Sequence, residues 1–446
     1  MIADILAQAW HSLLLLLVSP FQQGMEIFIL KFVPFVLFLE LPVYLIILLG
    51  IFKYYIRKIS LVDDNPAYLP TVSCIITCYS EGKDVQMTIR SLCEQLYKGR
   101  IEIIPVIDGA HQNQNTYLAA KEMEPYFNDT ANRVLRILPK WQRGGRVSTL
   151  NSGLQCAAGE IVMALDGDTS FDNDMVYRAT RHFYNADVVG VAGNLRVRNV
   201  DKSLVTRLQA IEYLISIHAG RVGLSEFNIV NNISGAFGVF RKSFIQKLGG
   251  WDSGTAEDLD MTLRIKNYFA RYPNLRIRFE PRAVGHTDAP DTFRDFFNQR
   301  LRWDGDLFYI YIRKHFLSFS PRLLGWKNLI MQVWVGILFQ IVLPFVILLY
   351  TCYIFTVYPV GFVLAVWALV YLVYLLITLI FYLVSLIMLS ERPRRDLRLA
   401  PFVLIMPFFT FFVRVWAAVA CLKELFLKSH LDTTMAPWWV LKKTKF

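Results

Sequence analysis

Residues Gly159–Phe171 read GEIVMALDGDTSF, in which the apolar run Ile161–Leu165 leads straight into an acid, a glycine and a second acid. A short apolar run bounded by turn-forming residues is the pattern of a buried strand. Side chains alternate along a strand, so Asp166 and Asp168, two apart, present their carboxylates on one side of the loop that follows. Two hard oxygen ligands at close range suit Mg2+ or Mn2+, which use one or two carboxylates and complete their shell with water and substrate phosphate. An Asx-rich turn closing a strand uses the same letters for purely local hydrogen bonding. The neighbouring segments discriminate.

Upstream, TVSCIITCYSEGKDVQMTIRSLCEQ (Thr71–Gln95) reads as a buried β-branched strand, a polar loop with Thr77, Tyr79 and Glu81, and an amphipathic helix. IEIIPVIDGA (Ile101–Ala110) is a second strand ending at Asp108, and RVLRIL (Arg133–Leu138) a third. The βαβ order predicts an α/β domain built on a mostly parallel, doubly wound sheet. In such sheets ligands sit at the carboxyl ends of strands. QRGGRVSTLNSGL (Gln142–Leu154) adds Arg146 behind two glycines ahead of a helix, and these loops together can hold a nucleotide. Further on, NISGAFGVFRK (Asn232–Lys242) supplies a small-residue loop at Ser234 and Gly235, and TAED (Thr255–Asp258) puts Glu257 and Asp258 at a helix start. Capping that helix is one role for Asp258. Acting as general base toward a sugar hydroxyl is the other.

More than half of the residues are hydrophobic, 54%, and the mean hydropathy is positive, which argues for an integral membrane protein. The formal net charge of +11 is not a nucleic-acid signature, because no basic tail or RNA-binding motif accompanies it. Basic residues flank apolar runs instead, as the positive-inside rule describes. The six cysteines form no matched CxxC pairs, so neither a zinc site nor a disulfide framework is indicated, and Cys74 and Cys78 read as buried strand residues. The sequons at Asn128 and Asn232 fall in the mixed-charge region and are read as chance.

Apolar residues dominate both ends of the chain. Ile27–Ile56 is long enough to cross the ~30 Å hydrocarbon core and is followed by Arg57 and Lys58. The earlier ILAQAWHSLLLLLVSP (Ile5–Pro20) is short enough to be a second span, an interfacial helix or part of a signal-like segment. Leu329–Val357 and Phe362–Leu389 form two further spans around Tyr358 and Pro359, and the arginines of SERPRRDLRLA (Ser390–Ala400) put the far end of that hairpin in the cytoplasm. The last run, Pro401–Leu427, contains Pro407, Arg414 and Lys423 and is free to cross, kink or re-enter. Lys442, Lys443 and Lys445 favour a cytoplasmic tail. The expected organisation is a membrane region at 1–60 with one or two spans, a cytoplasmic catalytic domain at 61–303, interfacial helices at 304–330, transmembrane helices at 331–428 and a basic tail at 429–446.

FFNQRLRWDGDLF (Phe296–Phe308) precedes the longest apolar stretch. By itself it is a juxtamembrane basic helix with an interfacial tryptophan. The ordered set TCYSE, VIDGA, DGD, SGAFGVFRK, TAED and QRLRW, however, resembles the family 2 glycosyltransferases, in particular the membrane-integrated processive synthases of cellulose, hyaluronan, chitin and poly-N-acetylglucosamine. The similarity runs from about Leu61 to Trp303.

The resemblance implies a GT-A fold flanked by transmembrane helices and a processive, inverting hexosyltransferase. Such an enzyme polymerises a UDP-sugar into a β-linked polysaccharide and passes the chain through its own spans. It implies that Thr77, Tyr79, Glu81 and Asp108 hold the uridine, with Arg146 beside the donor. Asp166 and Asp168 would hold the nucleotide and its Mg2+ or Mn2+. Asp258, with Glu257 beside it, would deprotonate the acceptor, and Gln299, Arg302 and Trp303 would bind the diphosphate and stack the acceptor sugar. The implied partners are a UDP-sugar donor, a growing polysaccharide acceptor, membrane lipid and a regulatory or export subunit, with no nucleic acid. The implied location is the bacterial inner membrane. The alternative is a non-processive family 2 transferase adding one sugar to a lipid carrier, against which the QxxRW element and the several spans argue. The chain departs from the family pattern in having Arg146 where a lysine is usual, in lacking a serine after Asp108, and in splitting the TED triplet as Thr255, Ala256, Glu257 and Asp258.

Overall fold

All seven residues of β1 (Val72–Cys78) are buried. Cys74, Ile76 and Cys78 enter one core and Ile75 the other, so the strand is covered on both faces. A strand in that position has to be nearly apolar along its length rather than alternating, and VSCIITC supplies this apart from Ser73, which donates to Glu102, and Thr77 at the site end. The structure, a computed structural model, describes Gln8 and residues 36–60, 68–127, 132–252 and 255–431. The short N-terminal run, the Asn128 sequon and the lysine-rich tail of the sequence reading lie outside these residues.

Around β1 the described residues form a nine-stranded sheet in the order β3-β2-β1-β5-β8-β7-β9-β6, with β4 also pairing β2. The strands are β2 (Ile101–Asp108), β3 (Arg133–Leu135), β4 (Leu138–Lys140), β5 (Ile161–Asp166), β6 (Ser170–Phe171), β7 (Val188–Val197), β8 (Phe237–Arg241) and β9 (Arg276–Thr287). The first half is parallel and doubly wound as expected: β1 pairs β2 and β5, with Thr77 opposite Asp166. The second half is mixed. β8 runs antiparallel to β5 and β7, and β6 antiparallel to β9. The reason is connectivity, because β8 enters from the loop at residues 231–236, which already lies at the carboxyl end of β5, with Phe237 opposite Leu165. That inversion brings a second set of loop residues to the end of the sheet where Asp166 lies. RVLRIL, read as one strand, is two, β3 and β4, which pair with different parts of β2.

Five helices frame this sheet and its membrane side: α1 (Phe38–Ile59), α2 (Asp84–Cys93), α3 (Gly145–Cys156), α4 (Glu257–Lys266) and α5 (Phe293–Phe308). Among the described residues three helices are long and apolar enough to cross a membrane: α1, α6 (Pro321–Val357) and α7 (Val360–Leu389). A fourth span is possible in α8 (Pro393–Val403) and α9 (Met406–Leu427), which meet at 76°. Pro407 near the start of α9 lacks an N–H for the helix ladder, which suits it to a first turn after such a break. The segment between α7 and α8 packs on the sheet: Arg196 pairs with Glu391 and Asp396, and Arg392 with Asp172 just past β6. Both ends of the α6–α7 hairpin therefore lie on the same side as the soluble domain. Gly50 of α1 packs directly on Gly223, where any Cβ would strike the other backbone.

Charge is also buried among the apolar helices. Glu40 of α1, fully buried, accepts from Arg414 of α9 at 3.0 Å and from the Tyr374 hydroxyl of α7 at 2.8 Å. In a low-dielectric setting this pair ties three helices together, and removing one partner strands the other. Arg414→Leu alone should lower stability by about 3–5 kcal/mol. The double variant Glu40→Leu/Arg414→Leu should recover most of that loss, as a thermal-unfolding double-mutant cycle in detergent would read directly.

Candidate active site

β1, β2 and β5 end side by side, and each end carries polar groups. At the β2 end, the Asp108 carboxylate accepts from Lys140 at 2.8 Å and from the backbone N–H groups of Gly144 and Gly145 at 2.9 Å. It therefore satisfies N–H groups at the start of α3, which have no partner within that helix. Gly145, at φ 76°, makes this turn in a conformation that glycine adopts freely. Next to it the Arg143 guanidinium lies over the Tyr79 ring, 4.5 Å from its centroid. Neither Lys140 nor Arg143 was singled out from the sequence, although Arg143 is the first of the two arginines bracketing the Gly-Gly pair.

The centre of the cluster is Arg146, in the first turn of α3. Its Nη1 donates to Asp166 at 2.5 Å and to the Thr77 hydroxyl at 3.1 Å, its Nη2 donates to the Gly235 carbonyl at 2.8 Å, and its Nε pairs with Glu257. One planar guanidinium thus joins β1, β5, the β8 loop and α4, a job suited to its fixed fork of donors. A lysine, with one charged head, could not hold all four. Burial pushes the Glu257 carboxyl up, with Arg146 opposing.

Asp166 and Asp168 stand together past β5. Burial and the nearby Asp166 charge push the Asp168 carboxyl up to about 6, and Thr169 donates to it at 3.3 Å. Glu81, mostly buried beside them with Oε2 unpaired among the described residues, is pushed up to about 8, chiefly by burial. Such a crowd of acids fits a divalent cation, whose charge would relieve the repulsion. Among the described residues no group of three His, Cys, Asp or Glu forms a ready-made metal cage. Mg2+ and Mn2+ sites that share one or two carboxylates with substrate phosphates need none.

α4 differs from the expectation that Glu257 and Asp258 cap it. The cap position is Ala256, held at φ 45° with no side-chain hydrogen bond, and both acids sit in the first turn. A non-glycine residue in this left-handed region is strained, so the turn is held by its surroundings. Asp258 instead faces the β8 loop, accepting from Asn232 and from the Gly235 N–H, both at 3.0 Å. Asn232, read as a chance sequon, is thus part of the site wall.

α5 carries Gln299, Arg302, Trp303 and Asp306, spaced to share one helical face. Gln299 Oε1 and Arg302 Nε are buried with no hydrogen-bond partner among the described residues. Burial pushes Asp306 up to about 7, opposed by Arg302 and raised further by Glu257 and Asp258, which ties this face electrostatically to the α4 turn. Ala256, Leu259 and Leu263 share an apolar cluster with Leu307, Phe308 and Ile310. Arg300, missed in the sequence, pairs with Glu212 at 2.6 Å and lies over the Trp303 ring, 4.8 Å from its centroid. α5 runs unbroken across residue 303, where the sequence reading ended the catalytic domain. It also leans on α9, where Trp416 donates to the Phe297 carbonyl at 2.8 Å and Phe296 meets Phe409.

The structure therefore brings together Thr77, Arg146, Asp166, Asp168, Glu257 and Asp258, with Glu81 beneath, Tyr79 and Asp108 on one flank and the α5 face on the other. Residues 73–249 match the family model described as glycosyl transferase family 2. These residues form a glycosyltransferase family 2 domain. A poly-beta-1,6-N-acetyl-D-glucosamine synthase of Staphylococcus epidermidis is 29% identical over 55% of this chain and 57% of its own length. The synthase of the same description from Staphylococcus aureus strain COL is 27% identical over 69% of this chain and 74% of its own. The chain thus matches little more than half the length of the first of these relatives. The fold is shared with a solved mannosyltransferase of Pyrobaculum calidifontis in complex with GDP-Man and Mn2+, at TM-score 0.54 and 18% identity, over 86% of this chain and 99% of that one. The glycosyltransferase domain is a GT-A fold with a mixed sheet.

Arg146→Ala should leave Asp166 and Glu257 facing each other without a countercharge. A stability loss on the order of 3 kcal/mol is expected, with a smaller loss for Arg146→Lys, both read by thermal unfolding.

Proposed function

We propose that this protein is a membrane-embedded, processive, inverting glycosyltransferase that polymerises a UDP-sugar into a β-linked polysaccharide and passes the chain through its own apolar helices. The observation that carries this reading is the α5 face: Gln299 and Arg302 hold buried polar atoms without partners among the described residues, beside Trp303, on a helix joining the α4 turn to α9. Unpaired buried polar groups are costly, and a ligand that pairs them explains why they persist. An acceptor sugar stacked on Trp303 and a diphosphate facing Arg302 fit those groups.

In this reading Tyr79, with Arg143 over its ring, and Thr77 receive the donor nucleoside, and Asp108 fixes the loop that supports them. Asp166 and Asp168 would hold Mg2+ or Mn2+ with the donor diphosphate, where the ion would offset the charge of the departing nucleotide. Asp258 takes the proton of the acceptor hydroxyl as that oxygen attacks the anomeric carbon from the face opposite the leaving UDP, which inverts the configuration. Glu257 is not free for that duty, since it neutralises Arg146. Arg302 stabilises the charge that develops on the diphosphate. The relatives named as poly-beta-1,6-N-acetyl-D-glucosamine synthases make UDP-N-acetylglucosamine the first donor to test. The arginine-rich Ser390–Asp396 stretch, with Arg392 paired to Asp172 of the domain, supports a cytoplasmic catalytic face, the bacterial inner membrane being the expected location. A regulatory or export subunit remains compatible with this arrangement.

The test is purified protein in lipid, with Mg2+ or Mn2+ and a panel of UDP-sugars, following UDP release and product length. Asp168→Asn should abolish turnover in a folded, inserted protein, and Asp258→Asn should lose about 10²–10⁴-fold in rate. Trp303→Ala should keep UDP binding and make little polymer. A product of one sugar on a lipid carrier would replace processive synthesis with single transfer, and full activity in EDTA would remove the metal.

A further inference from the structure

Lys266, the last residue of α4, is 1% exposed and has no acid within ion-pair distance among the described residues. Its Nζ donates to Gln332 of the membrane helix α6 at 2.8 Å and approaches Asn231 at 3.5 Å. Gln332 in turn donates to the Tyr311 hydroxyl, just past the end of α5. Asp258, Thr262 and Lys266 are spaced four residues apart and form one stripe along α4. Each position of that stripe holds the loop leading into β8: Lys266 at Asn231, Thr262 at the Ile233 N–H at 3.0 Å, and Asp258 at Asn232 and Gly235. Lys266 is thus the end of the stripe that reaches the membrane helix, and Asp258 the end that reaches the site.

Fully buried lysines without a countercharge are rare, because burial penalises the ammonium. Here burial alone pushes Lys266 down to about 7. An apolar residue would fill the same space, so the polar bridge calls for a reason beyond packing. The geometry points to Lys266 as a positioning residue that couples membrane helix α6 to the Asp258 end of α4, setting the acceptor base relative to the helices beside which the product leaves. This inference rests on the reading of Asp258 as the acceptor base.

The full chain in lipid tests it, with UDP-binding sites counted on each preparation and turnover expressed per site. Lys266→Met should lower turnover per site about ten- to a hundredfold, the scale of a small misplacement of a reacting group, with donor KM unchanged. Lys266→Gln, which still donates to Gln332, should recover part of it. Gln332→Leu, which cuts the bridge at its membrane end, should reproduce the loss. Unchanged turnover per site in Lys266→Met or Gln332→Leu, with only fewer UDP-binding sites, would overturn the coupling.

A second readout is independent of catalysis. The unfolded chain keeps Lys266 protonated up to about pH 10.4, the folded chain only to about 7. Between these values the unfolded state binds the extra proton, so stability rises with pH. Wild type should gain thermal stability relative to Lys266→Met from about pH 7 to 10, with a constant difference below 7. A flat difference throughout would remove the buried lysine from the argument. If no UDP-sugar is turned over by wild type, the functional reading fails while this pH comparison still judges the bridge.

Discussion

Two carboxylates, a hydroxyl and a carbonyl converge on one guanidinium at the carboxyl end of this sheet, and Arg146 is the group that lets them stay there. Asp166 comes from β5, Thr77 from β1, Gly235 from the β8 loop and Glu257 from α4, and each contacts the same guanidinium. Without a cation between them, Asp166 and Glu257 would repel across a partly dry cleft. With it, the parallel and the mixed halves of the sheet are bolted at the one point where they have to register. The strand-end side and the α4 side of the site thereby share a common reference.

Asp168 and Glu81 are outside this compensation. Both are shifted toward the protonated form by burial and by acidic neighbours. The domain thus spends its fixed positive charge on Asp166 and Glu257 and leaves a residual acidic corner next to them. That division suits a site whose remaining charge is to be balanced by a cation arriving with its substrate, and it follows from the reach of one side chain in the first turn of α3.

The α4–α5 side of the site depends on the apolar helices as well as on the sheet. α5 leans on α9 through Phe296, Phe297 and Trp416, and α4 reaches α6 through Lys266 and Gln332. The Ser390–Asp396 loop between apolar helices is fastened to β7 and to the end of β6. Soluble domain and apolar helices therefore meet through directional polar contacts as well as apolar packing, and a shift of a membrane helix would be felt at Asp258 and Trp303.

The sequence by itself determined the elements whose signal is local. The apolar runs of β1, β2 and β5, the polar residues at their ends, the long apolar helices and the grouping of Gln299, Arg302 and Trp303 on one helix are local signals, because burial of a face constrains residues near one another in the chain. What only the tertiary structure decided is long-range. The antiparallel insertion of β8 depends on where its loop starts, RVLRIL divides because it meets the free edge of β2 at two separate stretches, and Ala256 takes the cap position because α4 is pinned from outside. Lys140, Arg143, Arg300 and Lys266 carry no signature of their own. An arginine that stacks on Tyr79 and one that faces solvent are the same letter, and the partners of these four residues lie tens of residues away in the chain. Such contacts are selected by the shape of the folded chain, so no window of sequence contains them.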